Sequence, residues 1–292
     1  MKRDAFSRFH PAVNFLFFVG AIGFGVVFQH PAYMAASIVC GAAYYLLLKG
    51  SKGWKLILGT LPMFVLITVI NPIVNHRGRT VLFYFFGNPY TLEAVCYGMV
   101  LGAMFMIMML WFGCYNVVLT SDKFVCLFGS LIPALSLLLV MVLRLIPSFM
   151  RKTKQIIGAR NSIGMGGNEG SSLKEKVGAG MTVLSALTDW ALEGSIVTAD
   201  SMRARGYGTA KRTSFRIYNM TAWDWGLLAL EAAFAGVVLW TGSTGGAEAS
   251  ITYQITVSPI TPGYVGYWAF LLIPVVIEIK EAVQWRIIRS KI

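Results

Sequence analysis

Six near-continuous apolar runs, at about residues 11–28, 30–48, 56–73, 92–119, 224–241 and 264–280, constrain this chain more than any other feature. Each is long enough to cross a hydrocarbon layer ~30 Å thick. Inside such a layer every backbone amide must be satisfied within the segment, and a helix does this. With 56% hydrophobic and 13% charged residues and a mean hydropathy of +0.65, an ordinary soluble domain is excluded. The expectation is an all-α, polytopic membrane protein in three blocks. Residues 1–119 carry four spans, 120–222 form a cytoplasmic coupling block of long amphipathic helices, and 223–292 carry two more spans. The first run begins ten residues in, with no small-residue cleavage site after it, so it reads as a retained span rather than a signal peptide.

Basic residues orient these spans. With the N-terminus inside, 23 of the 25 Lys and Arg residues fall on the cytoplasmic side, and only Arg77 and Arg79 lie outside. The positive-inside rule therefore places both termini and residues 120–222 in the cytoplasm of a plasma-membrane protein. The net charge of +12 matches a surface facing anionic lipid, so it calls for no nucleic acid. Cys40, Cys96, Cys114 and Cys126 lie in or beside apolar runs without metal-ligand spacing and read as small buried hydrophobes. The outer connector 241–263 is rich in Gly, Ser and Thr, with a short extended piece expected at 251–257.

The block after Leu119-Thr-Ser-Asp-Lys123 is organised by helix signals. Pro133 suits the first turn of a helix running to Arg160, which Pro147 should kink or break. Gly164, Gly166, Gly167 and Gly170 then make a flexible turn. Ser172 and Glu175 have capping-box spacing, each able to satisfy the other's free amide at a helix start. The following helix should run to Arg205 and stop at Gly206. On it Leu173, Val177, Met181, Leu184, Leu187, Ala191, Ala199 and Met202 share one face, with Asp189, Glu193 and Asp200 opposite. That amphipathic helix lies against protein or a membrane surface rather than crossing. Each long helix thus presents an Arg at its end, where the helix dipole favours a cation.

The tripeptides Ala159-Arg160-Asn161 and Ala204-Arg205-Gly206, with Thr120-Ser-Asp122, Leu143-Arg-Leu-Ile-Pro147 and Arg8-Phe-His-Pro11, resemble the transmembrane T component of energy-coupling factor transporters, the EcfT/CbiQ family. The resemblance is strongest from 119 to 212. It implies two coupling helices whose Arg160 and Arg205 dock into grooves of two cytoplasmic ABC-type ATPases, identical or different. It also implies a small membrane S component that recognises the vitamin or metal ion. Asn161 stands where the family's motif often has Gly, and Asn tolerates the left-handed conformation better than other non-glycine residues. Arg144, Pro147 and Asp122 fall in the neighbouring motifs, with Arg144 either a structural anchor or part of the coupling.

The remaining chemistry-bearing residues point away from catalysis. His10, His30 and His76 stand beside no nucleophile, and G-x-S-x-G, H-E-x-x-H and phosphate-loop patterns are absent from the sequence. No cofactor is expected in this chain, and ATP and Mg would belong to the partner ATPases. Glu93 suits a helix N-terminus, and Glu231 lies near an apolar run. Gly98-Met-Val-Leu-Gly102 has small-xxx-small spacing, fit to pack within the chain or against a partner. A permease of another ABC importer type, or an autonomous secondary transporter, are the alternatives. The latter would need buried ionisable residues and broken helices at midplane, of which the sequence has few.

Overall fold

The computed structural model describes residues 4–76, 78–85, 88–129, 133–165, 172–209, 218–245, 249–250, 256–257, 259 and 261–290. The chain divides into two compact units, one of residues 1–124 with 218–292 and one of residues 125–217.

In the first unit, α1 (Pro11–Val27) and α2 (Pro31–Lys49) start by the same device, repeated in sequence as His-Pro-Ala. The Nδ1 atoms of His10 and His30 accept from the amides of Ala12 and Ala32, each at 3.2 Å. The proline that follows each histidine needs no partner for a missing N–H. Two of the three histidines are thereby explained as helix caps. A 3-10 turn at Gly50–Gly53 leads into α3 (Trp54–Val74), and a hairpin of β1 (Val81–Phe85) and β2 (Asn88–Thr91) precedes α4 (Leu92–Val118). A short helix, α5, covers Ser121–Gly129. After the second unit come α8 (Ala222–Ser243), the two-residue strands β3 (Ala249–Ser250) and β4 (Thr256–Val257), and α9 (Pro262–Ser290).

Among the described residues, four helical stretches are long and apolar enough to cross a membrane: Pro31–Val74, Leu92–Val118, Ala222–Ser243 and Pro262–Trp285. The first holds both α2 and α3, whereas α1, at 17 residues, is a shorter apolar helix. The all-α expectation holds, with two small antiparallel hairpins beside the helices. The hairpin at 81–91 was not expected. In the connector 241–263, residues 256–257 of the expected extended piece form β4, paired with β3, while residues 251–255 lie outside the described residues.

The core joins α1, α2, α4 and α9 through an aromatic cluster. Phe17 stacks on Phe270 at 5.1 Å and meets Trp111 edge-on at 5.7 Å. Trp111 is fully buried and donates its indole N–H to the Ser37 hydroxyl at 2.9 Å, which keeps a polar atom satisfied in an apolar site. Cys40 and Cys114 are buried, and Cys96 and Cys126 partly so. At Gly98 and Gly102 of α4 the backbone of α3 approaches closely. A Cβ on Gly98 would lie 2.9 Å from the Thr68 carbonyl oxygen, and one on Gly102 would lie 3.0 Å from that of Phe64. The small-xxx-small pattern is therefore spent on packing within the chain.

The second unit contains α6 (Pro133–Ser162) and α7 (Leu173–Ala204). Ser172 and Glu175 form both bonds of the capping box, Ser172 N to Glu175 Oε2 at 3.0 Å and Glu175 N to Ser172 Oγ at 3.4 Å. Pro147 does not break α6, which continues through it to Ser162.

Candidate functional site

The two long helices of the second unit end in the same backbone turn, and that turn places the two arginines differently. At the end of α7, Gly206 has φ 78°, its amide donates to the Arg203 carbonyl at 2.9 Å, and the Tyr207 amide donates to Met202 at 3.0 Å. This is a Schellman turn, in which a left-handed glycine lets two amides reach back and satisfy carbonyls the helix leaves free. Arg205 is the capping residue itself, one position before the glycine. Its guanidinium is exposed and makes no hydrogen bond or ion pair among the described residues. Ala204 and Gly206 are exposed beside it.

At the end of α6 the same turn is built three residues later than expected. Gly164 has φ 74°, its amide donates to Asn161 at 3.1 Å, and the Met165 amide donates to Arg160 at 3.0 Å. Gly164 takes the role of Gly206, and Ile163 stands where Arg205 stands at the other end. Arg160 does not close its helix, because α6 runs on to Ser162. Asn161 is helical, not left-handed; a glycine three residues on supplies that conformation without the Cβ clash an Asn would meet. The Arg160 guanidinium folds over the turn and donates through Nη2 to the Met165 carbonyl at 3.2 Å. Ala159 and Asn161 are exposed, and Arg160 is half-buried. The two motifs are alike in sequence and differ in cap register. The 32-residue α7, ~48 Å long, separates them along the chain.

The apolar face of α7 also differs from the sequence expectation. Trp190 meets Phe149 of α6 edge-on at 5.6 Å, and the Lys152 ammonium sits 5.7 Å from the Trp190 ring centroid. The less exposed side of α7 runs through Ala179, Val183, Leu187, Trp190 and Ala191, whereas Leu173, Val177, Met181 and Leu184 are exposed. Trp190 sets this rotation, because the largest ring on the helix finds the aromatic partner. Arg144 and Pro147 are exposed on α6. Asp122 is exposed in the first turn of α5.

A second polar cluster, in the first unit, was not foreseen. The segment Asp4–Arg8 lies against the ends of several helices. Asp4 is buried and accepts from the Phe6 amide at 3.2 Å and from the Tyr44 hydroxyl at 3.0 Å. Burial, reinforced by the hydrogen bond and charge of Glu278, pushes the Asp4 carboxyl up to about 7. The Ala5 amide donates to Glu278 at 2.9 Å, and Arg8 pairs with Glu281 at 2.8 Å. Lys123 is buried, donating to the carbonyls of Ser7 and Val118; burial draws its ammonium below the usual lysine range, against the pull of Asp4. The His10 amide donates to Asp224 at 2.9 Å, which ties α8 to the same segment. No periodicity marks Asp4 or Glu278, since their contact spans nearly the whole chain.

Glu93 sits at the start of α4 as expected, accepting from the Thr80 amide and, at 2.8 Å, from its hydroxyl. Glu231, buried in α8, has no hydrogen-bond partner for either carboxyl oxygen among the described residues. Replacing an unsatisfied buried polar group by an apolar one of similar shape removes a penalty of about 1–3 kcal/mol. Glu231→Leu is therefore expected to raise the thermal midpoint of the purified chain; a lowered midpoint would show that the carboxyl has a stabilising partner. Among the described residues no three His, Cys, Asp or Glu side chains gather as metal ligands. No protein-family model matches the chain, and no curated protein matches it.

Proposed function

We propose that the chain is the membrane-embedded coupling subunit of an importer of the energy-coupling factor type. In this reading six spans cross the plasma membrane, with both termini and the α6–α7 unit in the cytoplasm. The arginine-bearing ends of α6 and α7 dock on two ABC-type ATPases, which bind ATP and Mg. A small S component in the membrane carries the vitamin or metal ion. Long helices suit the task, because motion imposed at one end of a rigid element is carried along it. One observation carries the reading: Ala204-Arg205-Gly206 closes a 32-residue helix in a turn that leaves the Arg205 guanidinium exposed and unpaired among the described residues. That is the state of a cation awaiting a partner, since a planar donor fork gains most from a complementary acceptor site.

Co-expression with affinity-tagged ABC-type ATPases should recover this chain in a stable complex, and its absence from every such complex would remove the proposal. Topology gives a second check. In a cysteine-free background, Ser201→Cys should resist an impermeant thiol reagent in intact cells, while Ser243→Cys should react. Labelling of Ser201→Cys would invert the orientation and place the arginines out of reach of any ATPase.

A further inference from the structure

Only one narrow stripe of α8 is covered. Asp224, Glu231 and Val238 are buried at intervals of seven residues, with Leu227 and Phe234 half-buried between them, while the other sides of the helix are exposed. Two contacts fix what faces this stripe. The His10 amide donates to Asp224 at 2.9 Å, and a Cβ on Gly242 would lie 2.7 Å from the Phe28 ring. His10 and Phe28 are 18 residues apart, as are Asp224 and Gly242, which is five helical turns on each side. The helices α1 and α8 therefore run parallel and in register, with these residues on facing lines. Glu231 follows Asp224 by seven residues, within about 20° of the line on α8, and Asn14 lies within about 40° of the line on α1.

We propose that Glu231 is an intramembrane proton-binding site, a carboxyl held neutral by one proton in the seam of α8 with α1. Its side chain is 4% exposed, and neither oxygen has a hydrogen-bond partner among the described residues. It stands nine residues into α8, ~14 Å from the helix start, so water at that end does not reach it. No cation faces it. The helix α1 contains no Asp, Glu, Lys or Arg, and the Oδ1 of Asn14 is itself without a partner among the described residues. On α9, Gly266 and Gly263 adjoin Val237 and Thr241, so the two helices run antiparallel and Glu231 comes level with Leu272 and Ile273. The titratable groups of α9 nearest that level are Tyr267 and Glu278, each more than a turn away and neither a cation. On α8 itself Asp224 is engaged by the His10 amide and by Thr221.

An ionised carboxylate in this seam would have neither a cation nor a donor to replace the water it gives up. One proton cancels the charge and leaves the smaller cost of an unpaired neutral group. Only the neutral acid is therefore compatible with α8 lying against α1 and α9. An ammonium supplied from the facing line of α1 would reverse this, because opposite charges inside a membrane pair with each other. The site lies wholly within the first unit and stands whether or not α6 and α7 meet an ATPase.

Infrared difference spectra of the full chain in lipid nanodiscs at neutral pH test this. Wild type minus Glu231→Gln, a substitution of the same shape, should show one carboxylic-acid C=O band and no carboxylate band. The same band should persist in Asp4→Asn and Glu278→Gln, which separates it from the other buried acids. Asn14→Lys should lose the acid band and gain a carboxylate band, as the ammonium takes the place of the proton. A carboxylate band in place of the acid band in the Glu231→Gln difference, or no band at all, would overturn the proposal. So would an acid band surviving in folded Asn14→Lys, since Glu231 would then not face α1. Where Asn14→Lys does not fold, the Glu231→Gln difference decides alone.

Discussion

Arg205→Ala is expected to reduce recovery of the ATPase complex and coupled uptake by about 30-fold or more, with Arg160→Ala having the smaller effect. If a groove on the ATPase desolvates the guanidinium and bonds its N–H groups, truncating one side of that contact costs ~2–5 kcal/mol. Arg205 is positioned for this, because it is the capping residue of α7 and its side chain is exposed beyond the last turn. Arg160 begins from a different state. It lies three residues before the cap, and its Nη2 already donates to the Met165 carbonyl. Docking there must first break that bond, at a cost on the order of 1 kcal/mol, and the resulting contact is correspondingly weaker. Arg205→Lys should restore only part of the loss, since an ammonium lacks the planar fork. Arg151→Ala and Lys154→Ala, basic changes on α6 outside the motifs, should stay within about twofold of wild type, as expected for solvated charges. Membrane expression and thermal midpoint are measured alongside, since both variants should leave the fold intact. Equal losses for Arg160→Ala and Arg205→Ala would show that cap register does not matter. No loss at Arg205 would remove that residue from the coupling contact.

The asymmetry between the two arginines also shows where sequence reasoning reaches its limit. Local signals were legible because their partners are a few residues apart: the Ser172–Glu175 box and Gly206 as the stop of α7 follow from spacing. The two Ala-Arg pairs suggested equivalent helix ends, yet the end of α6 is decided by Gly164, which in sequence is one glycine among four in a turn. The face of α7 was legible as amphipathic but rotated from its expected position, because Trp190 finds Phe149 on another helix. Asp4 and Glu278 were not legible at all. Each is a single acidic residue in an unremarkable setting, and only the fold brings the N-terminal segment onto α9. The hairpin at 81–91 could have been read from its run of Val, Leu, Phe, Tyr and Phe. In so apolar a chain, however, that composition does not separate strand from helix.

The close contact of α3 with α4 sets the second large effect: Gly98→Ala and Gly102→Ala should each destabilise the chain by about 1–3 kcal/mol. In a membrane no hydrophobic force drives two apolar helices together, so their association rests on close van der Waals packing between small residues. A Cβ on Gly98 would meet the Thr68 carbonyl oxygen at 2.9 Å and the Thr68 Cα at 3.1 Å, while one on Gly102 would meet the Phe64 ring at 2.9 Å. At Gly98 two of the obstructing atoms belong to the α3 backbone and cannot rotate away, so the helices must separate. At Gly102 part of the obstruction is a phenyl ring that can turn, so the penalty there should be the lesser. The pair should not add, since moving α3 away relieves both clashes at once. Gly59→Ala on α3 is the matched control, because nothing lies within 4 Å of its added methyl. It should be neutral or slightly stabilising, alanine being the better helix former by up to about 1 kcal/mol. Thermal midpoints of the purified chain, followed by intrinsic tryptophan fluorescence, separate these cases. If Gly98→Ala melts with Gly59→Ala, α3 does not pack on α4 as closely as the structure places it.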